Sequence, residues 1–275
     1  MRALHIAADV MREAAARRLI LILAILVTLA LGAVALGMKA DVVDGALAAT
    51  RLFGDKLAGH TPQEILRPLF EAAAYLIYYV GLPFGILATA DLAPKLLAPG
   101  RVEHLLALPV QRWEILAGTL LGVLALASGG ALYGALGLVG ILFVKTGFLN
   151  LGPLVAAVLA GIAFSAIYSA MLAVAVVVRS GAASAGVGFL LLLLGSVAGH
   201  RRDLDRFFDA GWSRQVFDLL MLPLPKVSTL AELAVALSGG SPVLVDRLAA
   251  LVAGTLGFAV AVLLLAIARF SRKDY

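Results

Sequence analysis

Asp91, Lys95, Arg101, Glu103, Arg112 and Glu114 share one short stretch, DLAPKLLAPGRVEHLLALPVQRWE, with three prolines and the amphipathic run VEHLLALPV. The runs on either side, 72–90 and 115–144, carry no charged residue. Acids and bases interleaved in a compact loop between apolar runs suit docking onto a soluble partner, where complementary charge sets register. Other chemistry is hard to build from this chain. No phosphate-cradling G-x-x-x-x-G-K-[ST] loop and no H-E-x-x-H zinc motif occurs. His5, His60, His104 and His200 lie in separate segments, too scattered for a zinc ligand set. The absence of cysteine excludes disulfides, thiol catalysis and thiolate metal sites. No catalytic, metal-binding or cofactor-binding residue is expected, and any ATP-driven work would need the nucleotide in another chain.

Neutral polar residues inside the apolar runs form a second set of candidates. Tyr75, Tyr78 and Tyr79 stand at i, i+3 and i+4, one face of a helix. With Ser184 they could wall a translocation path; ordinary hydrogen bonding between helices is the competing use. No carboxylate or base falls at mid-depth of a span. A buried charge costs about 2.5–3.5 kcal/mol or more and marks ion or proton routes, so its absence argues against a proton- or sodium-coupled carrier. Gly118/Gly122, Gly130/Gly134 and Ser184/Gly188 are small-xxx-small pairs suited to close helix packing.

The elements that must position these residues are membrane spans. The chain is 62% hydrophobic and 14% charged, with a mean hydropathy of +1.03. Soluble domains average about 25% charged residues. The expectation is an all-α polytopic integral membrane protein, a single transmembrane domain over 1–275 with six spans. Residues 1–18 alternate charge with Leu4, Ala7, Ala8, Met11 and Ala15 and predict an interfacial amphipathic helix. Spans follow at about 19–38, 62–90, 115–144, 153–178, 182–199 and 242–268. Residues 19–38 are too long for a signal-peptide core and read as an uncleaved first span. A mixed-charge connector covers 39–60, and Thr61-Pro62-Gln63-Glu64 resembles a capping box opening span 2, which Pro83 should kink. Residues 200–241 are too charged and proline-marked to span; they predict short interfacial helices on the far side, one dipping back toward the membrane. Ser241-Pro242 should cap span 6, and Trp113 and Trp212 suit interfacial anchors. Arg17-Arg18 before span 1 and Arg269, Arg272 and Lys273 after span 6 put both termini and the 91–114 loop in the cytoplasm. Basic residues beside spans fit anionic lipid headgroups and not nucleic acid.

Residues 100–118, GRVEHLLALPVQRWEILAG, resemble the cytoplasmic loop of ABC-2 type permeases, the membrane subunits of ATP-binding cassette transporters. Gly100, Glu103, Leu105, Leu106, Leu108, Pro109, Val110, Arg112, Ile115, Leu116 and Gly118 fit that loop's pattern. Arg101 stands where threonine is usual, and Thr119 where lysine is usual. The order of elements resembles the family along the whole chain. The resemblance implies a permease of the bacterial inner membrane, most simply an exporter working as a homodimer on ATPase subunits that hold ATP and Mg²⁺. Arg101, Glu103, Leu105, Leu106, Pro109 and Arg112 would then form the ATPase-coupling element. Spans 2 and 5 would line the path, bringing in Tyr75, Tyr78, Tyr79 and Ser184. The competing class is a membrane scaffold or assembly protein that transports nothing.

Overall fold

A computed structural model describes residues 2–15, 18–43, 46–52, 55–57, 62–107, 110–201, 212–242 and 244–272; of these, for 2, 19, 38–43, 46–52, 55–57, 62–65, 104–106, 213, 214 and 218 it describes the backbone alone. Among them are six helices long and apolar enough to cross a membrane, the architecture of a polytopic helical membrane protein. They are α2 (Arg18–Gly37), a composite span of α3 (Pro62–Leu76), a π-helical turn (Ile77–Gly81) and α4 (Leu82–Thr89), then α7 (Arg112–Thr146), α8 (Gly152–Val178), α9 (Gly181–Gly199) and α12 (Val245–Ser271). Shorter helices are α1 (Arg2–Ala15), α5 (Leu92–Leu96), α6 (Arg101–Ala107), α10 (Trp212–Met221) and α11 (Val227–Ser238).

The all-helical expectation is departed from in one connector. Residues 38–57 pair as an antiparallel three-stranded meander of β1 (Met38–Val43), β2 (Ala46–Leu52) and β3 (Asp55–Leu57). The signal was present: Asp44-Gly45 and Gly54-Asp55 separate short runs with β-branched residues, the dipeptide type that hairpins use. The Thr61 cap and Leu108–Pro109 lie outside the described residues, as do the side chains of Glu64, Leu105 and Leu106 and residues 202–211 of the expected 200–241 segment.

α8 sits at the centre. Its buried stripe is mostly small, including Ala156, Ala160, Ala163, Ser169 and Ala175, and α7, α9, α11 and α12 all pack on it. Span 2 approaches it at Gly85, where a Cβ would fall 3.1 Å from the Phe164 ring. α2 is peripheral and meets α7 alone among the spans in any quantity. Gly134 receives Val27, Gly137 receives Leu31, and the Thr28 and Tyr133 hydroxyls are hydrogen-bonded at 3.0 Å.

α1 is amphipathic, but its buried face is rotated from the expected one. Ile6, Ala7, Val10 and Ala14 are buried, whereas Leu4 is 65% exposed and Ala15 is exposed. Two apolar stripes lie side by side on this helix, and the sequence pattern does not say which meets protein. The deciding factor is α7. A Cβ built on Gly118 falls 2.7 Å from the Ala3 carbonyl oxygen, and one on Gly122 falls 2.6 Å from that of Ala7. The two glycines therefore let the α1 backbone rest on α7, as their spacing predicted.

α7 begins at Arg112, three residues before the expected start of span 3. Gln111 and Glu114 form a reciprocal capping box there, the Glu114 carboxylate accepting from the Gln111 N–H at 2.8 Å. The expected Ser241-Pro242 cap is displaced: α12 starts at Val245 behind Leu244, with no side-chain cap, and Ser241 instead accepts from Arg67 at 3.4 Å. Gly147 (φ 69°) and Arg179 (φ 54°) end α7 and α8 in the left-handed region, making the two predicted tight turns.

Gly122→Leu should force α1 off α7 and lower thermal stability in detergent by about 1–3 kcal/mol, the usual cost of overpacking. Gly129→Leu, where a Cβ meets nothing within 4 Å, should change it little. Equal melting shifts for the two variants would show that the contact carries no stability.

Candidate functional site

The charged loop folds into α5 and α6 and is tied to both ends of the chain. Arg101 Nη2 donates to Glu13 Oε2 at 2.7 Å, joining the start of α6 to the end of α1. Arg112 Nη1 donates to the carbonyls of Phe270 and Ser271 at 3.1 and 3.0 Å. Those carbonyls end α12, where the Arg272 N–H also donates to the Phe270 carbonyl, so the guanidinium adds donors at the negative end of the helix dipole. Val102 (0% exposed), Leu96 and Leu97 anchor the loop in the core, and Phe270 is buried beside them. Asp91 pairs with Lys95 at 3.7 Å and lies against Gly181, where any Cβ would strike its carboxylate. The N-terminal helix, the loop, the 179–181 turn and the end of α12 thus share one end of the bundle.

The six coupling candidates divide accordingly. Arg101 and Arg112 turn inward to hold the loop to α1 and α12. Glu103 is exposed, on the outer side of α6. Pro109 and the Leu105 and Leu106 side chains lie outside the described residues. The sequence pattern named both arginines as coupling candidates, but carried no sign that their partners are Glu13 and two backbone carbonyls more than 150 residues away.

The translocation candidates also separate. Tyr75, Tyr78 and Tyr79 span an arc of about 100° on an ideal helix, and the protein boundary cuts through it. Tyr75 and Tyr79 stack on each other with ring centroids 5.8 Å apart, both about half exposed, whereas Tyr78 is 2% exposed. The π-helical turn sits immediately before Pro83. Proline has no N–H for the Tyr79 carbonyl and its ring crowds that turn, so one wider turn relieves the clash. The expected kink at Pro83 takes this form.

Beyond this turn lies a cavity of about 200 Å³ between span 2, α9 and α11, lined by Tyr78, Pro83, Leu192, Ser196, Val227 and Ala231 among others. Tyr75 and Ser184 are not among its lining residues; Ser184 is buried near the start of α9. Ser196 and Ser228 both line it and both are satisfied: Ser196 Oγ donates to the Leu192 carbonyl and Ser228 Oγ to the Ser196 carbonyl, each at 2.8 Å. The buried Tyr78 hydroxyl has no hydrogen-bond partner among the described residues. Leaving such a group unmet costs about 1–3 kcal/mol.

α11 packs on span 2, α8 and α9 and is sewn in place. Thr229 Oγ1 donates to the Gly199 carbonyl at 3.3 Å, Asn150 Nδ2 to the Ser238 carbonyl at 2.8 Å, and a Cβ on Gly195 would fall 2.7 Å from the Pro225 carbonyl oxygen. At the rim, His200 Nε2 lies 3.0 Å from Glu232 Oε1, and Arg67 Nε bonds Glu71 at 2.7 Å. Sequence reading marked this region as short interfacial helices, one dipping back; the seam was hidden because its donors bond backbone carbonyls across 30 to 88 positions. No group of His, Asp or Glu suited to a metal ion occurs among the described residues. Comparison with family models and with curated proteins gives no match.

Arg112→Ala should remove the side-chain donor shared by the last α12 carbonyls and weaken that turn by on the order of 1 kcal/mol. Hydrogen exchange of the amides at 266–272 should then quicken about fivefold, with Arg112→Lys in between. Unchanged exchange would mean the guanidinium contributes nothing to the helix end.

Proposed function

We propose that this chain is the permease subunit of an ABC-2 type transporter: it forms the membrane path, and a separate ATPase chain supplies ATP and Mg²⁺. The observation that carries this reading is the folded α5–α6 loop. It is braced by Arg101 against α1 and by Arg112 against α12, and it turns Glu103 outward on a chain that has no nucleotide-binding motif of its own. A loop braced in this way can pass a push from a partner to three elements at once. Its likeness to the family's coupling loop, from Gly100 to Gly118, supports the same reading.

In this proposal the loop end faces the cytoplasm of a bacterial cell, both termini lie there, and α1 rests at the inner-membrane surface among anionic headgroups. Two protomers assemble as a homodimer, and export is the direction. Glu103, together with Leu105, Leu106 and Pro109, meets the ATPase, while Arg101 and Arg112 fix the loop's shape. Tyr78 and Tyr79 belong to the transport route; Ser184 and Tyr75 stand away from the cavity. A scaffold protein without transport is the rival, and it would need no ATPase.

Co-expression with ATPase chains encoded beside this one should yield a complex whose ATP hydrolysis depends on the membrane subunit. Glu103→Arg should reduce co-purification about tenfold or more, since a charge reversal at a docking contact costs several kcal/mol. The yield and melting point of the membrane chain should hold. An ATPase that binds wild-type and Glu103→Arg protein alike would overturn the docking role, and the absence of any ATPase partner would favour the scaffold.

A further inference from the structure

We propose that His200 and Glu232 form a proton-operated latch between α9 and α11: with its ring charged, His200 holds α11 to the end of α9, and on losing its proton it releases that contact. The surroundings of the ring carry the proposal. His200 Nε2 lies 3.0 Å from Glu232 Oε1, and Nδ1 lies 3.1 Å from the Ser196 carbonyl oxygen. A carbonyl oxygen only accepts, and so does an ionised carboxylate. A neutral imidazole has one N–H and one bare nitrogen, so it serves one of these oxygens and turns a lone pair on the other. The imidazolium donates to both. The shared proton belongs on the ring and not on Glu232, because an ordinary imidazole binds a proton on the order of a hundredfold more tightly than an ordinary carboxylate.

The place of His200 in the fold points the same way. It is the C-cap of α9, and its own N–H donates to the Val197 carbonyl at 3.1 Å. A positive ring there meets the negative end of the helix dipole. The contact also continues the seam between the two helices. Ser228 Oγ donates to the Ser196 carbonyl, Thr229 Oγ1 to the Gly199 carbonyl, and Glu232, one turn further along α11, meets His200. The Ser196 carbonyl takes both Ser228 and His200, one for each of its lone pairs. Of these three links, the one through His200 changes with pH.

The other charged and titratable groups of the elements packed here do not replace it. Tyr79 of span 2 lies within electrostatic reach of Glu232 but carries no proton to give or take between pH 5 and 8. Arg67 and Glu71 of α3 pair with each other at 2.7 Å. Lys226 precedes α11 as its N-cap residue, and Arg201 follows His200 in the chain. Asp246 and Arg247 are exposed at the start of α12, and α8 contains no charged residue. The His200 and Glu232 side chains are 48% and 57% exposed, so protons reach them from the medium and salt screens them. The charge pair is present in acid and is lost as the pH rises and the ring discharges. That this end of the bundle meets the outside of the cell rests on the permease reading; the latch does not.

The test is hydrogen exchange of the full chain in lipid nanodiscs, with no ATPase present. Protection factors, corrected for the chemical exchange rate at each pH, are compared at about pH 5.5 and about pH 8, either side of the range in which an ordinary histidine changes charge. Peptides covering 196–201 and 227–236 should be about two- to fivefold better protected at the lower pH, the size of effect expected of a half-exposed ion pair. Peptides within 156–172 of α8 should not change. His200→Gln should show the weaker protection at both pH values, and Glu232→Gln should lose most of the pH dependence. His200→Arg, a permanent cation, should be flat with pH. Molar salt should shrink the wild-type difference. Equal wild-type protection at the two pH values would overturn the latch, as would a pH dependence that survives in His200→Gln. A chain that shows the latch and recruits no ATPase would count against the permease alone. An ATPase-coupled chain with pH-independent protection would count against the latch alone.

Discussion

Everything in this bundle depends on how closely other helices can approach α8. In hydrocarbon, lipid tails are as apolar as leucine, so helices do not gather to escape solvent; they gather where packing is tighter than lipid can achieve. α8 offers that surface. Of its most apolar window 61% is buried, against none of that of α2. Alanines at 156, 157, 160, 163, 166 and 175 bring neighbouring backbones near and lose no rotamer freedom in doing so. The same device works one layer out. Gly118 and Gly122 admit α1 to α7, Gly188 admits Met171 and Ile86, and Gly195 admits α11. Remove the small residues and the spans would still insert, but nothing would specify their neighbours.

That dense centre makes the loop end legible as a unit. α1 reaches the core only because α7 is bare of side chains where they cross. The end of α12 reaches it through Phe270, which is fully buried. Arg101 and Arg112 then bridge from the loop to these two elements, each using a charge-assisted bond. Neither bond is strong on its own at a half-exposed site. Their value is geometric: the loop cannot shift as a rigid piece without disturbing α1 or α12. A partner that docked on Glu103 would therefore act on the ends of the bundle and not on a slack connector.

Spans were readable from the sequence to within about three residues because hydrophobic length is a one-dimensional property. Turns at Gly147 and Arg179, the packing glycines of α7 and the amphipathic character of α1 were readable for the same reason: each depends on local spacing. What escaped was whatever depended on a distant partner. Which stripe of α1 faces inward is decided by Gly118 and Gly122. Which tyrosine of Tyr75, Tyr78 and Tyr79 is buried is decided by where α9 and α11 stand. The role of Arg112 is decided by the end of α12. The connector at 38–57 is a different kind of miss, since its hairpin dipeptides were local and visible but were outweighed by the helical pattern on both sides.

Tyr78 brings these themes together. Pro83 disrupts the helix ladder one turn after it, and the wider π turn that absorbs the disruption prevents span 2 from closing smoothly on α9. α11 fills part of the resulting gap, but it is pinned to α9 and α8 by backbone-directed bonds and cannot settle deeper. The cavity is therefore a product of rigid walls, not of loose packing. A leucine or phenylalanine at position 78 would suit such an apolar wall without stranding a hydroxyl. A tyrosine there strands a buried hydroxyl with no partner among the described residues, at a cost of about 1–3 kcal/mol.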